Sequence, residues 1–220
     1  MARSTEHRTS RASASTFVAG RGASVDGAAR RVRSRGGHRS VRSARLGART
    51  GTHYYELELE SLGETGCVRV GVSTDLGNVE ASVGADASSY AFVSRTGDKV
   101  HDRARTAYSE AVATQSDVIG VLLHFPTPIK KSERSSLGAL SRAWMRFSGR
   151  RETSFIEFFL NGRSLGRAFE HVAPGLYRPC VSVFTHSLQS SSAIVRFNFG
   201  PIFRSPPQTT IRYEPFSSGL

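Results

Sequence analysis

The sequence predicts an all-β sandwich of antiparallel strands. Three observations lead there. Short runs repeatedly alternate apolar and polar residues with period two, the signature of half-buried strands. An Asn161-Gly162 pair sits between two such runs and is the strongest short hairpin signal, because its turn needs positive φ at both central residues. Helical periodicity is nearly absent, and turn signals separate many short strands.

The first 48 residues differ from the rest. Arginine recurs through them and just beyond (for example Arg30, Arg31, Arg33, Arg35, Arg39, Arg42 and Arg45, then Arg49), opposed only by Glu6 and Asp26, with Gly, Ser and Ala between. Residues 1–15 read as a disordered basic tail. Thr16–Ala19 and Ala29–Val41 read as weak edge strands. From Tyr54 onward the strands are clear. Tyr55, Leu57 and Leu59 alternate with Glu56, Glu58 and Glu60, which read as a solvated face. Val68, Val70 and Val72 alternate with Cys67, Arg69 and Gly71. A Tyr90-Ala91-Phe92 strand precedes a basic turn at Arg95, Gly97 and Lys99. Asp117–Phe125 is apolar on both faces, as suits a central strand. Phe155–Leu160 and Ser164–Phe169 flank the Asn-Gly turn. Cys180–Phe184 and Ala193–Phe199 follow, and a Pro-rich extended tail runs on from Pro201. Residues 126–153 interrupt the pattern with a polar, basic insertion that reads as loop or partly helical.

At 220 residues and 38% hydrophobic content the chain suffices for one domain with a real core plus appendages. The net charge of +12 is carried by arginine, lysine occurring only at positions 99, 130 and 131. A bias this strong is as much a matter of genomic composition as of function. Cys67 and Cys180 lie in apolar runs without zinc-ligand spacing. Two buried thiols fit a reducing compartment, and a disulfide between them stays open. No apolar run approaches a membrane span. The N-terminus MARSTEHRTSRASAS has no apolar core of a secretory signal. It has the Arg and Ser content of a transit peptide, but Glu6 counts against one.

No catalytic pattern appears. The seven histidines are scattered, and none forms a metal-binding pair. There is no Gly-x-Ser-x-Gly elbow, and Gly71, Gly77 and Gly84 form no phosphate loop. The expectation is a non-enzyme with no cofactor. What remains is a basic constellation. Arg69 projects opposite Val68 and Val70, and Arg95 and Lys99 sit on the turn after Tyr90 and Phe92. If these strands lie side by side the three cations converge, and a guanidinium among them would grip carboxylate or phosphate. The alternative is ordinary strand-edge charge that discourages edge pairing.

Several segments carry a family resemblance: VRVGVSTDLGN, SSYAF, SRTGDKVH, FFLNGRSLGRAF, PGLYRPCVSVF and NFGPIFRSPP. Together, over roughly Tyr54–Tyr213, they resemble the B30.2/SPRY domain, most closely that of the trithorax-group Ash-two subunits of histone methyltransferase complexes. The resemblance implies a bent two-sheet sandwich, with the SPRY domain over residues 16–213, its insertion at about 126–153, and a C-terminal tail at 214–220. It implies a nuclear, non-catalytic subunit of a histone H3 lysine 4 methyltransferase complex. Such a subunit holds an acidic, phosphorylatable segment of a WD40-repeat subunit in a basic pocket, and so stimulates the SET-domain subunit. Arg69 retains the family's pocket arginine, and Arg95 stands where the family has lysine. The remaining pocket positions depart: Ser82 replaces a proline, Ala85 a tyrosine and Val93 a second arginine, and a pocket tyrosine aligns loosely near His38 or Arg39. Partner-binding residues are therefore expected at Arg69, Arg95, Lys99 and Ser82, with a weaker or differently shaped acidic ligand. Neither the family's zinc-finger and winged-helix region nor its C-terminal docking helix has a counterpart here. Two other readings stand beside this one. One is a general SPRY peptide-recognition module, such as a ubiquitin-ligase substrate receptor. The other is nucleic-acid binding through the arginine-rich arm, where Phe17 is almost the only aromatic for stacking.

Overall fold

A computed structural model describes residues 16–28, 30–34, 37–126, 153–188 and 191–216. The expected basic tail over residues 1–15 and most of the expected insertion lie outside the described residues. Every regular element among those described is a strand: β1 (Phe17–Ala19), β2 (Ala23–Asp26), β3 (Arg31–Ser34), β4 (Arg39–Ser43), β5 (Gly51–Ser61), β6 (Cys67–Ser73), β7 (Ser89–Val93), β8 (Lys99–His101), β9 (Ala104–Thr106), β10 (Val118–Phe125), β11 (Phe155–Leu160), β12 (Arg163–Glu170), β13 (Arg178–Phe184), β14 (Ala193–Asn198) and β15 (Glu214–Pro215). They form two sheets. The first runs β1-β4-β13-β6-β7-β8-β9. The second runs β12-β11-β10-β5-β14-β3-β2, with β15 lying parallel to the start of β5. All other pairings are antiparallel.

The pleat decides which residues meet. Val68, Val70 and Val72 of β6, Tyr90 and Phe92 of β7, and Val181 and Val183 of β13 face inward from the first sheet. Tyr55, Leu57 and Leu59 of β5, with Ile119, Val121 and Leu123 of β10, meet them from the second. Each such side chain stabilises the fold by about 1.5–3 kcal/mol. The Asn161-Gly162 turn adopts φ of 50° and 81°, as its sequence requires, and sets Leu160 opposite Arg163.

Two expectations need correction. Of the two N-terminal segments read as weak edges, Thr16–Ala19 contains β1, which does lie at the edge of the first sheet, whereas the strands of the second segment, β3 and β4, are interior. β4 lies between β1 and β13, and β3 lies between β2 and β14. Their arginines are matched elsewhere in the chain: Arg31 pairs with Glu60 at 2.8 Å and Arg39 with Glu80 at 3.2 Å. The glutamates of β5 are not a solvated face either. Glu56 is 0% exposed and Glu58 is 3% exposed. The Pro-rich tail folds back over this outer side of the second sheet. Glu56 accepts hydrogen bonds from the Arg204 and Ser205 amides, both at 2.8 Å, and from Asn198 Nδ2 at 2.9 Å. Glu58 accepts from Arg196 at 2.6 Å and Arg204 at 2.9 Å. Phe203, Ile211 and Tyr213 of the tail pack on Tyr54, Leu122, Phe155 and Phe159. Tyr54 lies across Gly120, where any Cβ would stand 2.2 Å from the phenol oxygen. Ordered structure also continues past the expected boundary at 213, since β15 pairs with β5 and Phe216 is buried in the main core.

Candidate functional site

With the second sheet's outer side covered by the tail, the candidate site is the outer side of the first sheet. Arg69 reaches it because its neighbours Val68 and Val70 point into the core. Register places Arg69 opposite Ser182 on β13 and opposite Val93 on β7. Ser182 in turn faces Ser40 on β4. The loop from Thr74 to Ser88 crosses this face. Ser40 Oγ donates to the Ala81 carbonyl at 2.5 Å, and the Val83 amide donates to Ser182 Oγ at 3.2 Å. Val83, Ala91 and Cys180 form a small apolar cluster beneath it.

Two buried arginines fix the start of that loop. Arg42, 6% exposed, donates to the carbonyls of Thr74 at 2.7 Å, Gly77 at 2.9 Å and Asp75 at 3.3 Å. Arg178, 8% exposed, grips both carboxylate oxygens of Asp75, at 2.7 and 3.2 Å. Bidentate geometry of this kind is the strong form of the pair. The Asp-Leu-Gly-Asn turn is therefore a rigid brace, and it delivers Ser82 to Arg69. Arg69 Nη1 donates to Ser82 Oγ at 2.8 Å.

Arg69 is half-buried, and among the described residues no carboxylate pairs with it. Burial pulls its pKa down. The Cys67 thiol works against that, and the nearby Arg105 adds to it. An arginine keeps its proton regardless, so the shift expresses a cation whose environment leaves its charge uncompensated. Arg105 lies on the same side of the sheet, opposite Val100, and is paired with Asp98 at 2.5 Å. The wall near Arg69 is aromatic. His38 stacks on Phe184 with ring centres 4.4 Å apart and planes at 20°.

The structure brings together Arg69, Ser82 and Val93, and it separates the other two expected cations. Arg95 is exposed on its turn and donates to the Thr65 carbonyl at 3.2 Å, at the rim of the face. Lys99 does not converge with them, which corrects the expectation. Register sets it opposite Phe92, an inward residue, so it points between the sheets. Its ammonium donates to the Ala168 carbonyl of β12 at 2.5 Å and lies 5.4 Å from the centre of the Phe169 ring. Sequence reasoning missed Arg105 and the Phe184 wall. The alternation in RPCVSVF was the available signal for Phe184, since Cys180, Ser182 and Phe184 share a side.

Among the described residues no group of three His, Cys, Asp or Glu side chains is placed to hold a metal ion. The cysteines are free thiols. Burial pushes Cys180 up to about 12, with Arg42 pulling the other way, so at neutral pH it is a thiol rather than a nucleophilic thiolate. Two of the histidines sit in structural contacts: His101 is stacked on Tyr90 at 3.8 Å, and His124 Nδ1 is hydrogen-bonded to Thr52 at 2.8 Å.

Comparison with known proteins agrees with the fold. The SPRY domain family model matches residues 52–129. The chain is 29% identical over 195 residues to the Set1/Ash2 histone methyltransferase complex subunit ash-2 of Caenorhabditis elegans, covering 77% of this chain and 33% of the relative. It is 31% identical over 179 residues to the corresponding subunit ASH2 of Drosophila melanogaster, covering 71% of this chain and 30% of the relative. The chain thus spans about a third of the length of these curated relatives. Among solved structures, the SPRY domain of human HERC1 superposes with a TM-score of 0.56 at 16% identity, over 86% of this chain and 97% of that one. Another human SPRY domain gives 0.52 at 18% identity, over 85% and 99%. These two show the shared fold.

Proposed function

Because the chain carries a SPRY domain, we propose that it is a non-catalytic, nuclear interaction subunit of a histone methyltransferase complex, and that it holds an acidic segment of a partner protein on the outer side of its first sheet. The partner on this reading is a WD40-repeat subunit, and holding it stimulates a SET-domain methyltransferase. One observation carries the binding step: Arg69 is a half-buried guanidinium without a carboxylate partner among the described residues, on a face built of rigid strands and a braced loop. A charge so placed gains most when an acidic ligand supplies the missing partner. Arg95 at the margin, without a carboxylate partner among the described residues, favours approach of an acidic chain. Val93 and Ser82, neither of them charged, leave Arg69 as the principal grip, which favours a ligand with one well-placed acid over one with a dense acidic run. Lys99 takes no part.

Calorimetric titration with an acidic peptide, with and without phosphoserine, tests this. Wild type should bind, and Arg69→Ala should lose about 1.5–3 kcal/mol of affinity. Binding indifferent to Arg69 would remove the site. A steep salt dependence with nucleic acid, and no peptide preference, would favour the arginine-rich arm instead.

A further inference from the structure

We propose that His38 is a second anion-recognising group of the Arg69 site, neutral when no ligand is bound and taking up a proton when an acidic group binds beside Arg69. The proposal rests on the reading of the Arg69 face as an acidic-segment site, and it adds a residue and a pH dependence to it.

The geometry comes from strand register. Ser40, Ser182 and Arg69 lie across three neighbouring strands on one side of the sheet. One step along the same side, Phe184 lies opposite Cys67 and carries the His38 ring stacked on it. The backbone there is held, because Arg39 Nη1 donates to the His38 carbonyl at 2.8 Å. One face of the imidazole is thus fixed against an apolar ring while its edge remains available.

Among the described residues, the charges that act on His38 are cationic. From β6 come Arg69 and the Cys67 thiol. From β4 comes Arg39. The Thr74–Ser88 loop contributes Ser82 and Glu80, and Glu80 is already engaged by Arg39 at 3.2 Å and by the Arg21 amide at 3.0 Å. β13 contributes Phe184 and Ser182, neither charged. Burial first, then Arg69, then Arg39 hold the His38 pKa below its usual 6.5. The free protein therefore carries His38 neutral at physiological pH.

A carboxylate or phosphoryl group docking on Arg69 reverses this balance. It supplies the anion that the imidazolium lacks, and it makes a second charge-assisted donor worth forming. Because the bound pKa then exceeds the free one, binding takes up a proton in the interval between them. Affinity rises as pH falls through the bound pKa and levels off below the free pKa, where both states are already protonated.

The test is calorimetric titration of the full chain in buffers of different ionisation heat. The probe is an N-acetylated glutamate-containing peptide, whose carboxylates stay ionised throughout. Wild type, His38→Phe, which keeps the stack on Phe184, and Arg69→Ala would be run together. Wild type should show net proton uptake, with affinity rising roughly severalfold from about pH 8 to about pH 6. His38→Phe should bind more weakly, without that uptake and without that slope. A phosphoserine peptide should show less uptake, because its phosphate, with a second pKa of about 6, releases a proton on binding. Arg69-dependent binding without uptake, or an unchanged slope in His38→Phe, overturns the role of His38 and leaves the Arg69 site standing. Binding that ignores Arg69 overturns both.

Discussion

Arg69 Nη1 rests on Ser82 Oγ at 2.8 Å, so a loop hydroxyl aims the one half-buried guanidinium on the outer side of the first sheet that has no acidic partner among the described residues. That contact joins the braced Asp-Leu-Gly-Asn loop to the sheet. The hydroxyl orients what would otherwise be a flexible side chain, which would lower the entropy lost on binding.

Replacing Ser82 with alanine should weaken an acidic peptide by about 0.5–1.5 kcal/mol, the net worth of the lost hydrogen bond, with little change in thermal stability. Titration beside wild type checks this. A rise in affinity would mean that Ser82 competes with the ligand instead of aiming Arg69.

Lys99 is a structural cation. Its bond to the Ala168 carbonyl ties the first sheet to β12, an edge strand of the second. Lys99→Met keeps the stem and removes the donor, so the domain should lose about 1–3 kcal/mol of stability while peptide affinity is unchanged. Urea unfolding and titration of the same variant separate the two effects.

Glu56 holds the tail. Glu56→Ala leaves the amides of Arg204 and Ser205 and the side chain of Asn198 without their acceptor, at a cost of about 3 kcal/mol or more. Brief trypsin digestion should cut the variant at Arg204 and Arg212 well before wild type. Equal cutting would show that the aromatic contacts of the tail suffice.

Asp117 gives a pH signature. Burial would raise its pKa. Hydrogen bonds from Asn161 Nδ2 at 2.8 Å, the Thr114 amide at 2.7 Å and Thr114 Oγ1 at 3.0 Å outweigh that and hold it below the ordinary value. A carboxylate depressed in the fold contributes stability above its unfolded pKa, and loses it as pH falls through the folded one. Thr114→Val removes one of these donors. It should therefore be less stable than wild type at neutral pH, and the gap should narrow at about pH 3. Urea melts at both pH values measure it.

The strands legible in the sequence were those whose alternation contrasts strongly. Val68, Val70 and Val72 announce β6, the run Val118–Phe125 announces a central strand, and Asn161-Gly162 fixes its hairpin. The interior placement of β3 and β4 was obscured because Ser and Arg fill them, and their charges are matched by Glu60, Glu80 and Asp75 far along the chain. The burial of Glu56 and Glu58 was invisible for the same reason: only the folded tail covers them. At the site, parity along β6 placed Arg69 on the outer side, and the resemblance pointed to Ser82. Parity across the β7–β8 turn depends on how many residues the turn consumes, so Lys99 was assigned to the wrong side. Arg105 reaches the face only through one more hairpin.

The most direct measurement is the change in backbone amide chemical shifts of the isotopically labelled chain on adding an acidic peptide. The account predicts changes clustered at Arg69, Ser82, Val93, Ser182 and His38, fading toward Lys99 and absent around Glu56 and Arg204. Changes centred on the tail-covered side of the second sheet, with Arg69 and Ser82 unmoved, would contradict it.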